Sequence, residues 1–115
     1  MICFELPWPP SVNHYYRHVG HKTLISRAGR AYREIVCSIV ADRGAPMQKG
    51  KLSVTVDCFP PDNRKRDLDN LSKALLDALE HAGAIENDSQ VHELTLRKHY
   101  AVPHGNCFVE IGTLP

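Results

Sequence analysis

Three basic side chains run directly into two carboxylates in the middle of the sequence. Arg64, Lys65 and Arg66 precede Asp67 and Asp69. Mg²⁺ prefers oxygen ligands and usually takes only one or two protein carboxylates, which leaves coordination positions for water and phosphate. Cations beside such a site are suited to hold the phosphates of a nucleic acid. The segment therefore indicates metal-assisted phosphodiester hydrolysis, in which the metal polarises the phosphate and activates the attacking water.

The residues that follow extend this pattern along a predicted helix. Leu68 separates the two acids, so both carboxylates can lean toward solvent if Leu68 points into the core. Lys73 follows Asp69 by four residues and returns to the same edge one turn later. Asn70 adds an amide between them. A lysine beside a metal-bound phosphate can hold that phosphate or stabilise the developing negative charge.

A purely structural interpretation of these residues stays open on spacing alone. Asp67 could be a helix N-cap, and Asp69 could be a first-turn acid that the helix dipole favours. Lys73 would then be an ordinary i,i+4 partner of Asp69. The three cations could likewise form a solvated loop.

A third acid stands in the turn after the predicted helix. Asp88 lies between Ile85 and Val91. A helix of about 16 residues is about 24 Å long, so the chain must fold back to bring Asp88 to Asp67. Nothing in the spacing shows that return, and Asp88 could instead be a turn-forming Asx residue. Both interpretations stay open.

Two tyrosines, an arginine and a histidine stand in succession near the N-terminus. Aromatic rings suit stacking on unpaired bases, and cations suit the backbone that links those bases. The four candidate contacts with nucleic acid are Tyr15, Tyr16, Arg17 and His18. Each tyrosine could instead pack beneath its loop. Trp8 and Asn13 are expected to be structural, with Trp8 in the core or at a dimer interface.

Hydrophobic periodicity predicts the elements that must position these side chains. Helices are predicted over 27–42 and about 67–81, each ended by a glycine, and strands over 2–6, 23–26, 52–58, 94–100 and 107–111. The predicted core face of the first helix is Tyr32, Ile35, Val36, Ile39 and Val40, and that of the second is Leu68, Leu71, Leu75 and Leu79. The last two strands are expected to form a hairpin. This order predicts an α/β (α+β) fold with a single mixed β-sheet and two helices packed on it.

Composition narrows the class of protein. The chain has 115 residues, which predicts one domain over 1–115, and a net charge of only +1. Four widely spaced cysteines, without a CxxC pair or an HExxH sequence, predict neither a zinc site nor a disulfide framework. The N-terminus lacks the features of a signal peptide, and no apolar run approaches the roughly 20 residues of a membrane span. We therefore expect a cytoplasmic protein without membrane contact.

Four blocks of the sequence, taken together, resemble the RusA family of Holliday junction resolvases. They are the proline-rich opening Leu6–Ser11, Asn13 with Tyr15–His18, Arg66–Leu71 with Lys73 and Ala74, and Asp88–Val91. They run in the same order and at matching spacing across roughly the first four-fifths of the chain. The C-terminal strands carry no motif.

The resemblance implies a specific enzyme. Members of the family are homodimers of a mixed α/β fold that bind four-way DNA junctions and cut two strands symmetrically with Mg²⁺. By correspondence, the catalytic acids and metal ligands are Asp67, Asp69 and Asp88, and the catalytic lysine is Lys73. The DNA-binding candidates are Arg64, Lys65, Arg66 and Asn70, together with Tyr15 to His18. A role in DNA recombination and repair follows, and many relatives are borne by prophages.

Two departures and two alternatives accompany this interpretation. Asn87 stands where relatives often have a second Asp, and Leu76 stands where some have an aromatic ring. The first alternative is a non-catalytic module that binds branched DNA, whose acids are only caps. The second is a nuclease for flaps or single strands.

Overall fold

Two long helices pack on one face of a four-stranded sheet in the computed structural model, which describes all 115 residues. The elements in chain order are β1 (Ile2–Leu6), α1 (Val12–Tyr15), β2 (Tyr16–Val19), β3 (Lys22–Ile25), α2 (Arg27–Arg43), β4 (Leu52–Phe59), α3 (Asp69–His81), a 3₁₀ turn (Asp88–Gln90), β5 (Val91–Lys98) and β6 (Asn106–Thr113). The predicted α/β (α+β) class with a mixed sheet is confirmed.

The sheet has the strand order β1-β6-β4-β5. β6 is antiparallel to both β1 and β4, whereas β4 and β5 are parallel and connected through α3. The expected hairpin between the last two strands is therefore wrong. After β5 the chain crosses the end of β4, where the amides of His99 and Val102 donate hydrogen bonds to the carbonyls of Cys58 and Pro60. This crossing brings β6 into the gap between β4 and β1.

The core lies between the two helices and the sheet. β4 alternates buried and half-buried residues along its whole length. In α2, Tyr32, Val36 and Val40 are buried, but Ile35 is 48% exposed, so its predicted place in the core is wrong. In α3 the predicted leucines are joined by two alanines; the buried set is Leu71, Ala74, Leu75, Ala78 and Leu79. The half-buried Leu68 and Leu76 pack against this core.

A small hairpin precedes α2: the strand predicted over 23–26 is confirmed as β3, and it pairs with β2, which the sequence did not predict. β2 and β3 pair in antiparallel register, beginning with Tyr16 opposite Ile25. Ser26 caps α2, since its hydroxyl oxygen accepts a hydrogen bond from the Gly29 amide at 3.0 Å. The same hydroxyl donates to the carbonyl of Tyr15 at 2.9 Å. The start of α2 therefore fixes the backbone that carries the paired tyrosines.

The second face of the sheet carries no helix. It presents an aromatic cluster in which the ring of Phe59 lies 4.7 Å from His99, 5.2 Å from Tyr100 and 5.9 Å from Phe108. Tyr100 is 74% exposed and Phe108 is 45% exposed. Leu94 on the edge strand β5 is 42% exposed. We call this surface the open face.

No helix of the chain has the length and apolar character needed to cross a membrane.

Candidate active site

The two carboxylates at the start of α3 face solvent. Leu68 packs against the core between them, while Asp67 and Asp69 are exposed, as the sequence predicted. Neither carboxylate accepts a hydrogen bond, and neither takes part in an ion pair. Leu68 is the residue at the N-cap, and no side chain caps this helix. The capping interpretation of Asp67 is therefore wrong, and so is an i,i+4 ion pair between Lys73 and Asp69.

Asp62 organises the segment Arg64–Arg66, which we call the basic loop. Its carboxylate lies 2.6 Å from an Arg66 nitrogen and 3.0 Å from an Arg64 nitrogen. It also accepts a hydrogen bond from the Arg64 amide at 3.0 Å. These bonds, first from Arg66 and then from Arg64, hold the pKa of Asp62 well below its usual range. Asp62 was not predicted from the sequence, although it lies four residues before Arg66.

Two further contacts hold Arg66 in place. Its guanidinium lies 5.8 Å from the ring centroid of Trp8, within cation–π range. Its carbonyl accepts a hydrogen bond from the Lys98 ammonium at 2.8 Å. The side chain of Arg66 is 20% exposed, compared with 81% for Arg64. Lys65 is exposed and makes no ion pair, so it is the free cation of the loop.

A cavity of about 580 Å³ opens between the basic loop and the N-terminal segment. We call it the basic cavity; its lining is Trp8, Ser11, Asn13, His14, Arg64, Lys65, Arg66, Asp67, Asn70 and Leu71. The predicted DNA-binding residues Arg64, Lys65, Arg66 and Asn70 therefore share one cavity with Asp67. Ser11 and His14, whose side chains lie 2.8 Å apart, were not found from the sequence. Trp8 packs half-buried against the core, as expected, and it also contributes to this wall together with Asn13.

Tyr15 is not available for stacking on bases. It is fully buried, its hydroxyl donates to Asp77, and it accepts a hydrogen bond from Arg33 at 3.1 Å. Arg33 in turn pairs with Asp77 at 2.8 Å. Burial, reinforced by the bond to Asp77, raises the pKa of Tyr15. The predicted DNA contact of Tyr15 is therefore corrected to a packing role, because this network links α1, α2 and α3.

Tyr16 has a different environment. It is half-buried, and its ring meets that of Tyr15 edge-on at 4.9 Å. The Lys73 ammonium lies over the Tyr16 ring, 5.1 Å from its centroid. Burial raises the pKa of Tyr16, and the charges of Asp77 and Asp88 add to this effect. Tyr16 thus lies within the influence of two of the predicted catalytic residues.

The other two candidates for DNA contact in the segment 15–18 lie on the β2–β3 hairpin. Arg17 and His18 are exposed residues of β2. His18 contacts the Thr23 hydroxyl of β3 at 3.2 Å, and Arg17 has no ion pair. Both are accessible to a ligand, and their contact with DNA stays a prediction.

Asp88 opens the 3₁₀ turn between α3 and β5. Asn87 caps the turn, since its side-chain oxygen accepts from the Ser89 amide at 2.8 Å while Gln90 bonds back to the Asn87 amide. The Asx role that the sequence left open for Asp88 therefore belongs to Asn87. The Asp88 amide donates to Glu80 at 2.7 Å, and its carboxylate accepts no hydrogen bond. The carboxylate is exposed and free to bind a ligand.

The structure assembles these acids only in part. No three His, Cys, Asp or Glu side chains lie close enough to form a ready metal-binding group. Asp67 and Asp69 flank the start of α3, whereas Asp88 is tied to Glu80 near the other end of that helix. Two free carboxylates are sufficient for Mg²⁺, which commonly keeps several water ligands. The Asp67–Asp69 pair therefore fits this ion, and the roles of the acids and of Lys73 stay predictions.

Comparison with known proteins assigns the chain to a family. The family model of the endodeoxyribonuclease RusA matches residues 7–111. The chain belongs to the RusA family. A crossover junction endodeoxyribonuclease of Enterobacteria phage HK97 is 39% identical over 112 residues, covering 96% of this chain and 93% of the relative. Those of Enterobacteria phage 82 and Escherichia coli K12 are each 47% identical, over 89 and 90 residues, covering 75% of this chain and 72% of the relative.

Membership of the RusA family confirms the resemblance seen in the sequence and the enzyme class that it implied, an endodeoxyribonuclease. The matched range includes the basic cavity, α3 and the 3₁₀ turn.

Proposed function

We propose that this RusA-family protein is a Mg²⁺-dependent endonuclease that resolves four-way DNA junctions by paired, symmetric cuts during recombination and repair. The observation that carries the proposal is the pair of unpartnered carboxylates at the start of α3: Asp67 lines a cavity with three cations, and Asp69 is exposed two residues later. A capping role or an ion pair would give these acids partners, although the helix dipole alone also favours an acid at Asp69 in the first turn. Their freedom, together with the names of the relatives, supports a metal and a phosphate as the intended ligands.

The residues divide the work of hydrolysis. Asp67 and Asp69 would hold Mg²⁺, and the ion would supply Lewis acidity toward the phosphate and toward the attacking water. The basic loop receives the DNA backbone, since cations position phosphates without reading sequence. Asn70 lines the same cavity and can donate to a phosphate oxygen. Lys73 stabilises the negative charge that develops on the phosphate in the transition state.

A homodimer is part of the proposal. Two equivalent strands of a junction require two equivalent sites, which an isologous dimer supplies. The open face supports this assembly, because exposed aromatic residues such as Phe108 and Tyr100 are characteristic of interface cores. A short chain also gains from burying a second apolar surface.

The test compares DNA substrates with the purified protein, with and without Mg²⁺. The proposal expects symmetric paired cuts in a synthetic four-way junction only when Mg²⁺ is present. Slower cutting of flaps and single strands of the same sequence is also expected. Faster cutting of flaps would support the flap nuclease instead. Tight junction binding without any cutting in Mg²⁺ or Mn²⁺ would support the non-catalytic binding module.

A further inference from the structure

Lys73 needs a fixed position, and no acid provides one. It is an exposed residue on α3, and its ammonium forms no ion pair and donates no hydrogen bond. A lysine side chain that rotates freely loses conformational entropy each time it is ordered. A group that must meet a developing charge works best when it is held in place beforehand. The Tyr16 ring, 5.1 Å from the ammonium, is the contact that can do this.

The Tyr16 ring is itself held firmly. Its edge-on contact with the buried Tyr15 fixes one side of the ring, and Tyr15 is bonded to Asp77 and Arg33. The backbone of Tyr16 is paired with Ile25 in the hairpin. A rigid ring of this kind can orient a flexible cation without neutralising its charge, whereas a carboxylate partner would weaken the attraction of that cation for phosphate.

We propose that Tyr16 is a positioning residue that holds the Lys73 ammonium over its ring face, ready for the scissile phosphate. This role rests on the proposed function. It is an alternative to the predicted stacking of Tyr16 on DNA bases, because the Lys73 ammonium lies over the ring at 5.1 Å from its centroid.

The contact itself can be tested in the metal-free protein without any cleavage assay. Ring currents shift nuclei that lie over an aromatic face, so the ε-methylene protons of Lys73 should resonate upfield of those of other lysines. The resonance is assigned by its loss in Lys73→Ala. We expect Tyr16→Phe to keep the shift and Tyr16→Leu to abolish it. A Lys73 resonance at the ordinary lysine position in the wild type would overturn the proposal.

The positioning role is tested by a double-mutant cycle on single-turnover cleavage of a bound junction. Tyr16→Phe keeps the ring face and should cut within about twofold of the wild-type rate, whereas Tyr16→Leu should cut about fivefold more slowly, the upper value for an exposed cation–π contact. Both should bind the junction within about twofold of wild-type affinity. In a Lys73→Ala background, Tyr16→Leu should have almost no further effect, because two residues that act through one contact are not additive.

The outcomes separate the possible failures. An equal loss from Tyr16→Leu with and without Lys73, or weaker junction binding by Tyr16→Leu, would overturn the positioning role. If Tyr16→Leu does not fold, fluorinated phenylalanines at this position weaken the ring face while keeping its shape. The rate should then fall stepwise with fluorination, and an unchanged rate would overturn the proposal. A wild-type protein that cuts no junction in Mg²⁺ would overturn the proposed function, and the role of Tyr16 in cleavage with it.

Discussion

Asp62 determines which cations of the basic loop are free to meet DNA. Its carboxylate pairs with Arg64 and Arg66, whereas Lys65 has no partner. A phosphate that approaches Arg66 meets a cation whose charge is already partly compensated. The salt dependence of binding reports how many phosphates the protein's cations neutralise, and hence how many counterions are released. The three cations should therefore contribute unequally to that dependence.

We predict that Lys65→Ala lowers the slope of log affinity against log salt for a four-way junction by about one unit. Arg66→Ala should lower it by less than one unit, because the substitution also frees the charge of Asp62. Fluorescence anisotropy over a range of salt concentrations measures both slopes, with the exposed Lys49 as a matched Lys→Ala control. Equal slopes for wild type and Lys65→Ala would show that Lys65 does not bind phosphate.

The free carboxylate of Asp69 leads to a sharper prediction. Asn keeps the shape of Asp but removes the charge that holds Mg²⁺. The Asp69→Asn protein should fold, dimerise and bind a junction at least as tightly as the wild type, since one negative charge near the phosphates is gone. It should cut at least about a hundredfold more slowly, a barrier increase of about 2.7 kcal/mol. Single-turnover cleavage in Mg²⁺ measures this rate.

Asp42→Asn is the matched control for Asp69→Asn. Asp42 is an exposed acid near the end of α2 that makes no ion pair, and its substitution should leave cleavage unchanged. Near-normal cutting by Asp69→Asn would show that Asp69 is not a metal ligand, whatever its position on the helix.

Individual residues were predictable from the sequence where neighbours in the chain decide their environment. The exposure of Asp67 and Asp69 followed from the apolar Leu68 between them. Tyr15 was not predictable in this way, because its partners Arg33 and Asp77 are 18 and 62 residues away. Two adjacent tyrosines look alike in the sequence, and only their neighbours in the fold give one a packing role and the other a place beside Lys73.

At the scale of elements, Gly29 controls how α2 meets the hairpin that carries the tyrosines. A Cβ at this position would collide with the backbone carbonyl of Tyr15 and lie 2.9 Å from a methyl group of Ile25. A backbone oxygen cannot move aside as a side chain can. The absence of a side chain at Gly29 therefore allows α2 to pack closely on this backbone.

We expect Gly29→Ala to lower the free energy of unfolding by about 1–3 kcal/mol, the usual cost of overpacking. In an exposed helix the same substitution would raise stability by about 1 kcal/mol, so the sign of the change is diagnostic. Urea unfolding followed by circular dichroism measures it. Gly112→Ala is the control, because no atom lies within 4 Å of its added Cβ and its stability should not fall. A stabilised Gly29→Ala would show that the two segments are not in close contact.

Periodicity was sufficient to locate most elements, because alternation in β4 and the spacing of the leucines in α3 reflect burial directly. It was less informative for β5, an edge strand whose Leu94 is half exposed. Hydrophobic periodicity could not predict the strand order. The position of β6 between β1 and β4 depends on pairing between segments about 50 and 100 residues apart in the chain. Local pattern carries no information about such pairing.

At the scale of the whole molecule, the open face is the surface that the proposed dimer would bury. Its aromatic cluster is centred on Phe59 in β4, the strand that contacts both β5 and β6. The rings are exposed on the sheet face that no helix covers. Removing such apolar surface from water stabilises the association with a second copy. Symmetric packing of two such faces would also place the two cavities in one particle, as paired cutting requires.

Phe108→Glu tests this assembly, because Phe108 is the exposed ring that β6 contributes to the aromatic cluster and the substitution places a charge there. Burying an unpaired charge in an interface is costly, and truncating an aromatic hot-spot residue at the centre of an interface costs about 2 kcal/mol or more. We therefore expect the wild type to sediment as a dimer at micromolar concentration, and Phe108→Glu to dissociate at least about 30-fold more readily.

Val19→Glu is the control, because Val19 is similarly exposed at 48% but lies on the β2–β3 hairpin. The Phe108→Glu monomer should cut one strand of a junction at a time, without the symmetric second cut. A dimer as stable as the wild type, with cuts still paired, would mean that the two copies meet through another surface.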